Sequence, residues 1–246
     1  MRIAVISDMH ANAIAFDAVL SDLRGDAVDQ VVCLGDAIQG GPQPAQLVAR
    51  LRDLGCPVVM GNADDYLLTG AETEANPPSE ERKRQLDTVR EWSLAQLSAS
   101  DRAFIASFQP TVELPLGDGR SLIGFHGSPH SYDDIIVPDT PDEDAQRMLG
   151  GFEPHILAGG HTHIQQIRHL GRSFYFGCGS IGLAFRHGQP EGVFKADPWA
   201  EYAVLSVSGG RIGLEFRRVP FDVDQLIAVY QASGRPYTDV AVAQYQ

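Results

Sequence analysis

The chain has 246 residues, with 19 lysines and arginines against 32 aspartates and glutamates, so its formal net charge is −13. Hydrophobic residues reach 43%, enough to bury a core, which excludes intrinsic disorder and low-complexity architecture. No apolar run approaches the roughly 18 residues that span a bilayer, and the acidic balance argues against non-specific nucleic-acid binding. No signal-peptide pattern follows Met1, and none of Cys33, Cys56 and Cys178 forms a C-x-x-C pair. A cytoplasmic location and one domain over 1–246 are expected, without a membrane partner.

The first two-thirds alternate strand-like and helix-like runs, the pattern of a layered α/β fold. Residues 3–6 read as a buried strand; after Asn12, Phe16, Leu20 and Leu23 recur at helical spacing, with Gly25 placed to end the helix. A second strand at 31–34 leads through Gly40-Gly41-Pro42 to a helix carrying Leu47, Leu51 and Leu54, stopped at Gly55, and a third strand is predicted at 57–60. Strand signals then vanish; Ser79 and Asp101 read as N-caps, and a helical insertion is expected over about 66–109. Strands resume at 121–125, 156–158 and 174–177. Two alternating runs, 202–208 and 211–219, joined by Gly209-Gly210, predict a hairpin. A last helix is predicted over 222–232, with Asp222 and Gln225 in a capping arrangement and Gly234 beyond.

The chemistry collects where strands end. Asp8 and His10 follow the first strand, Asp36 the second, Asn62 the third, His126 the run at 121–125, and His161 and His163 the run at 156–158. In α/β sheets that edge is where loops converge and ligands bind. Singly, each piece reads as a turn or a cap; five at the same end of a strand read as a site. The set mixes nitrogen and oxygen without sulfur, which suits divalent transition metals. Seven side chains are too many for one ion, whereas two ions about 3.5–4 Å apart would use them all, with Asp36 as the bridging carboxylate. Gly159-Gly160 lets the two imidazoles that follow turn to different ions. Two divalent ions with two aspartates and a hydroxide leave a local charge of about +1, which draws a phosphate group. His155 and His169 read as solvated. Asn12, His130, Arg186 and His187 lie near the same edge and are candidate substrate contacts. The chain has no Gly-x-Gly-x-x-Gly after its first strand, no P-loop, no His-Glu-x-x-His and no Gly-x-Ser-x-Gly, which leaves metal-activated water as the nucleophile.

Taken together, Asp8-Met9-His10, Gly35-Asp36, Gly61-Asn62-Ala63-Asp64, His126 and Gly160-His161-Thr162-His163 resemble the calcineurin-like metallophosphoesterase superfamily. Gly40-Gly41-Pro42, His126-Gly127-Ser128-Pro129 and Gly177-Cys178-Gly179-Ser180 are similar to its small bacterial and archaeal phosphodiesterase-like branch. The resemblance implies a four-layer α/β-sandwich (αββα) and a metal-dependent phosphoesterase acting on a small phosphate ester, a diester first. It places Asp8, His10, Asp36 and His163 on one ion and Asp36, Asn62, His126 and His161 on the other, with a bridging hydroxide attacking phosphorus in line. Manganese is the first expectation for the metal, with iron, zinc, nickel or cobalt as alternatives. Asp36, Asn62, His126 and Asp64 are expected to carry catalysis.

One departure from the family pattern matters, beside the milder change to Ala11 after the first histidine. Many members have a histidine where this chain has Ala63, which cannot transfer a proton. Asp64, His130, His187 or a metal-bound water would then protonate the leaving oxygen, or a leaving group of low basicity would depart unaided. A phosphomonoesterase or protein phosphatase, and a non-catalytic interaction module on the same fold, are the alternative readings. Homo-oligomer formation is left open.

Overall fold

The computed structural model describes residues 1–71, 79–117, 119–152, 155–171, 173–190 and 193–246. In chain order the elements are β1 (Arg2–Ile6), α1 (Ala13–Arg24), β2 (Gln30–Cys33), α2 (Pro44–Leu54), α3 (Asn62–Thr69), α4 (Glu80–Ala95), α5 (Ala99–Ile105), β3 (Val112–Pro115), β4 (Ser121–Gly124), α6 (Asp142–Leu149), β5 (Ile156–Gly159), β6 (Gln165–Leu170), β7 (Ser173–Cys178), β8 (Trp199–Ser208), β9 (Arg211–Pro220), α7 (Val223–Ser233) and α8 (Thr238–Val242). Among the described residues no helix is long and apolar enough to cross a membrane.

The strands form two sheets, ordered β2-β1-β8-β9 and β3-β4-β5-β7-β6. Because alternate residues of a strand face opposite ways, each sheet divides its apolar residues between two layers. Ile3 and Val5 of β1 and Leu205 of β8 meet Leu122, Ile156 and Phe176 of the other sheet in a core between the sheets. Ala4, Ile6 and Val204 face outward onto Phe16 and Val19 of α1 and Leu47 and Leu51 of α2. On the far side Ile123, Leu157 and Tyr175 pack on Leu149 of α6. The order helix, sheet, sheet, helix is the expected αββα sandwich.

Local chemistry sets the ends of the elements. Asn12 caps α1 by accepting from Ala15 N at 3.0 Å. α2 begins on Pro44 and stops at Gly55, whose left-handed φ of 63° a glycine adopts without penalty. At the hairpin tip, Gly209 (φ 56°) and Gly210 (φ 74°) supply the two positive φ values of the tight turn, and Ser208 pairs with Arg211.

Two expectations are corrected. The run at 57–60 is not a strand but two isolated bridges, Val58 to Cys33 and Val59 to Gln109, because Pro57 lacks an N–H and α3 begins at Asn62. Ser98, not Asp101, caps α5; Asp101 returns the bond from the third helical position, completing a capping box. Short strands β3 and β6 and helix α6 lay below the sequence signal. Helices do fill the expected insertion, of which 72–78 lie outside the described residues.

Candidate metal centre

The two loops that leave the parallel pair β1 and β2 are sewn together by backbone. Asp8 N donates to Gly35 O, His10 N to Asp36 O and Ala11 N to Ala37 O, each at 2.9 Å. This pairing is reached only with left-handed backbone at Asp8 (φ 55°), His10 (44°), Ala11 (52°) and Asp36 (50°); His161 (64°) and His163 (56°) repeat it after β5. Each such residue costs on the order of 1–3 kcal/mol, a strain that the surrounding packing must hold. Apart from Tyr237, these are all the non-glycine residues with positive φ among those described, and five of them are expected ligands.

Glycines make room. A Cβ at Gly61 would fall on the Asp36 carboxylate, and one at Gly160 would fall on Ser7 Oγ, so both carboxylate loops are closed by residues without a side chain. Asp36 Oδ1 then accepts from Ala63 N at 2.8 Å, at the start of α3. His161 N donates to Asp8 Oδ2 at 3.1 Å.

The seven expected ligands converge into two adjoining nests. Asp8, His10 and His163 bring one donor atom each within 4.8 Å of one another, as do Asp36, His126 and His161. His163 Nε2 lies 3.2 Å from Asp8 Oδ1, and His126 Nε2 lies 3.4 Å from Asp36 Oδ1 and 3.0 Å from Asn62 Oδ1. Asp36 joins the nests, since its Oδ2 is 3.8 Å from His10 Nε2.

Backbone carbonyls fix the tautomers. Nδ1 of His10 donates to Gln39 O (3.0 Å), that of His126 to Leu34 O (2.8 Å) and that of His163 to Leu183 O (2.7 Å). Each neutral ring therefore turns a bare Nε2 inward, as a metal ligand must. These carbonyls were missed by sequence reasoning, which sees no side chain in them.

The nests fit cations. His10 Nε2 and His163 Nε2 face each other at 3.1 Å, an arrangement of two lone pairs that only a shared proton or a cation relieves. Asp8 Oδ1 is buried and faces His163 Nε2, with no other hydrogen-bond partner. Charge tells the same story. Burial disfavours a charged His126, but the Asp36 carboxylate overrides it and pushes the ring up to about 10. Burial likewise opposes a charged His163, and Asp8 outweighs it, raising that ring. His10 and His161 are lowered, first by burial and then, for His161, by His126; for His10, His163 adds to the lowering against the pull of Asp36. Burial also works against charge on Asp8 and Asp36, yet the facing histidines hold both below the ordinary carboxylate range. In each nest, then, one ring is pulled toward its charged form by the carboxylate beside it.

The remaining candidates separate. Asp64 is fully buried, and its two oxygens accept from Ala37 N (3.0 Å) and Ile38 N (2.9 Å). Burial, with Asp36 nearby, pushes it up to about 7. With both oxygens bound to the Asp36 loop, it is a strut of that loop rather than an acid facing solvent. Asn12 is no substrate contact either: it is buried, caps α1 and donates to Gly182 O at 3.1 Å. His130 is exposed, its ring against Phe152, and the exposed Arg186 acts on Asp197. His187 stays at the rim, its ring 4.4 Å from Phe185, which in turn lies 5.6 Å from His163.

Known proteins share this arrangement of elements. The calcineurin-like phosphoesterase superfamily domain matches residues 1–198. An uncharacterized protein of Methanocaldococcus jannaschii is 44% identical over 171 residues, which is 66% of this chain and 62% of that protein, so the match spans less than two-thirds of its length. The crystal structure of a metallophosphoesterase from Sphaerobacter thermophilus superimposes with a TM-score of 0.71 at 25% identity, covering 99% of this chain and 98% of that one. A hypothetical protein from Pyrococcus horikoshii gives 0.79 at 18% identity, covering 100% and 98%, a likeness of fold. With the domain matched across four-fifths of its length, the chain belongs to the calcineurin-like phosphoesterase superfamily.

Proposed function

We propose that the chain hydrolyses phosphodiesters and holds two divalent cations, one in each nest, with Asp36 shared between them. The observation that carries this reading is the inward set of histidine Nε2 atoms, their rings held by carbonyls at Nδ1 and paired with Asp8 and Asp36. Such cations supply Lewis acidity toward the phosphoryl oxygens and lower the pKa of a water. The chain's own part is to hold the ligands on strained loops so that nothing rearranges when charge develops. Asn62 sits at the start of α3, where partial positive charge at the helix end favours an anionic substrate. Because Ala63 lines the approach and Asp64 is engaged, no side chain at that position protonates the leaving oxygen. Esters whose leaving oxygen is weakly basic are therefore favoured, aryl diesters above alkyl monoesters. Manganese, the metal expected from the family resemblance, remains the first choice.

The test is hydrolysis of bis(p-nitrophenyl) phosphate against p-nitrophenyl phosphate by metal-loaded protein, with bound metal counted by elemental analysis. Faster diester turnover and two metals per chain are expected; one metal per chain, or monoester preference, removes the proposal.

A further inference from the structure

Beside the nests lies a cleft of about 250 Å³ between α4 and the C-terminal helices α7 and α8, opening onto His10 and Ala63. Its wall carries two cations, Arg82 from the first turn of α4 and Arg235 from the turn after α7, and no aspartate or glutamate lines it. That is unusual in a chain of charge −13, where other arginines meet carboxylates, as Arg2 meets Asp26 at 2.8 Å and Arg168 meets Asp142 at 3.0 Å. Among the described residues neither cleft arginine has a carboxylate within 4.0 Å. Arg82 makes one long contact, 3.4 Å to Gln85 Oε1. Arg235 is held rather than neutralised: its Nε donates to Gly40 O at 2.6 Å, its Nη1 to Pro236 O at 2.8 Å, and its guanidinium lies over the Tyr230 ring at 5.7 Å. Burial lowers its pKa, Tyr230 opposes that, and the charge of Arg82 lowers it further, so the two guanidiniums repel each other across the cleft. Tyr237, left-handed at φ 57°, closes the rim.

Two unneutralised guanidiniums, one of them fixed in plane, form a fork suited to phosphate oxygens. Their cleft adjoins the nests, so it receives whatever extends from a phosphate held there. We propose that Arg82 and Arg235 bind a second phosphoryl group of the substrate, carried on the arm beyond the scissile phosphate. The preferred substrates are then phosphate esters with two phosphoryl groups, such as a 5′-phosphorylated dinucleotide. The assignment of the arm rests on the phosphodiesterase reading; the arginine site itself does not.

The experiment measures binding of adenosine 3′,5′-bisphosphate and adenosine 5′-monophosphate to manganese-loaded full-length protein by calorimetry. Hydrolysis of pApA and ApA is followed in parallel. The wild type is expected to favour the bisphosphate, and pApA in kcat/KM, by at least tenfold. In Arg82→Gln both ratios fall to within twofold of one, through KM rather than kcat, and Arg82→Glu drives them below one. Arg147→Gln, on the distant α6, keeps the wild-type ratios. A wild-type ratio near one, or a ratio unmoved in Arg82→Gln, overturns the proposal. A protein that cleaves no ester but keeps an Arg82-dependent preference for the bisphosphate retains the arginine site and loses the esterase reading instead.

Discussion

The metal nests and the arginine cleft share a wall at His10 and Ala63 yet are built in opposite ways. In the nests each imidazole whose tautomer is fixed has a carbonyl behind it, and each carboxylate loop is closed by a glycine. In the cleft, two long side chains come from a helix and a turn some 150 residues apart, and one of them makes a single weak contact. Reacting atoms tolerate little displacement, so their supports are rigid and strained. Recognition of a remote group tolerates more, and flexible side chains suffice.

The contrast predicts a graded series of losses. Asp36→Asn removes the one ligand both nests share, and hydrolysis of bis(p-nitrophenyl) phosphate should fall by roughly 10³-fold or more, the rate equivalent of several kcal/mol. Bound metal should fall with it, and full metal-dependent activity in this variant would break the two-nest assignment. Ala63→His installs a proton donor at the shared wall and should raise monoester turnover by about 10²-fold, at the low end for general acids. Diester turnover should change little, and an equal gain on both substrates would show that Ala63 does not set the preference. Asp64→Asn removes one of the two acceptors under the Asp36 loop and should cost about 10–100-fold in activity or metal affinity, the usual scale for groups behind a ligand. Because Asp64 positions rather than protonates, the pH–rate profile should keep its shape; a lost limb would make Asp64 the acid.

The smallest effect is one of pH. In metal-free protein the raised His126, at about 10 against an ordinary 6.5, stabilises the fold fully below pH 6.5, and that contribution is lost as pH climbs to about 10. The melting temperature of metal-free protein should therefore decline across this window. Metal affinity should rise over the same range by up to about tenfold per pH unit, because binding displaces the proton. A flat affinity would mean that His126 is not a ligand.

The nests were legible in the sequence because each ligand follows the end of a strand-like run, and Asp36, Asn62, His126 and His161 adjoin a glycine, so short motifs carried both identity and place. Asp64 and Asn12 were misplaced for a physical reason: a carboxylate and an amide beside a site read alike whether they face ligand or backbone, and only coordinates show Ala37 N and Gly182 O as their partners. The third strand failed because its apolar residues serve bridges rather than a ladder. The cleft was illegible because nothing in sequence brings Arg82 and Arg235 together; the fold does, by setting α4 across a cleft from the chain's last helices.

The family domain ends at residue 198, yet β8 inserts between β1 and β9, and Arg2 pairs with Ser206 across 204 positions of sequence. The strand that presents Asp8 and His10 thus lies between the early β2 and the late β8. During synthesis every metal ligand leaves the ribosome before the partner that completes their sheet, and contacts of such sequence separation form slowly. The nests must wait for β8, and metal capture by a nascent chain should lag translation of residue 163 by at least the forty or so residues through β8.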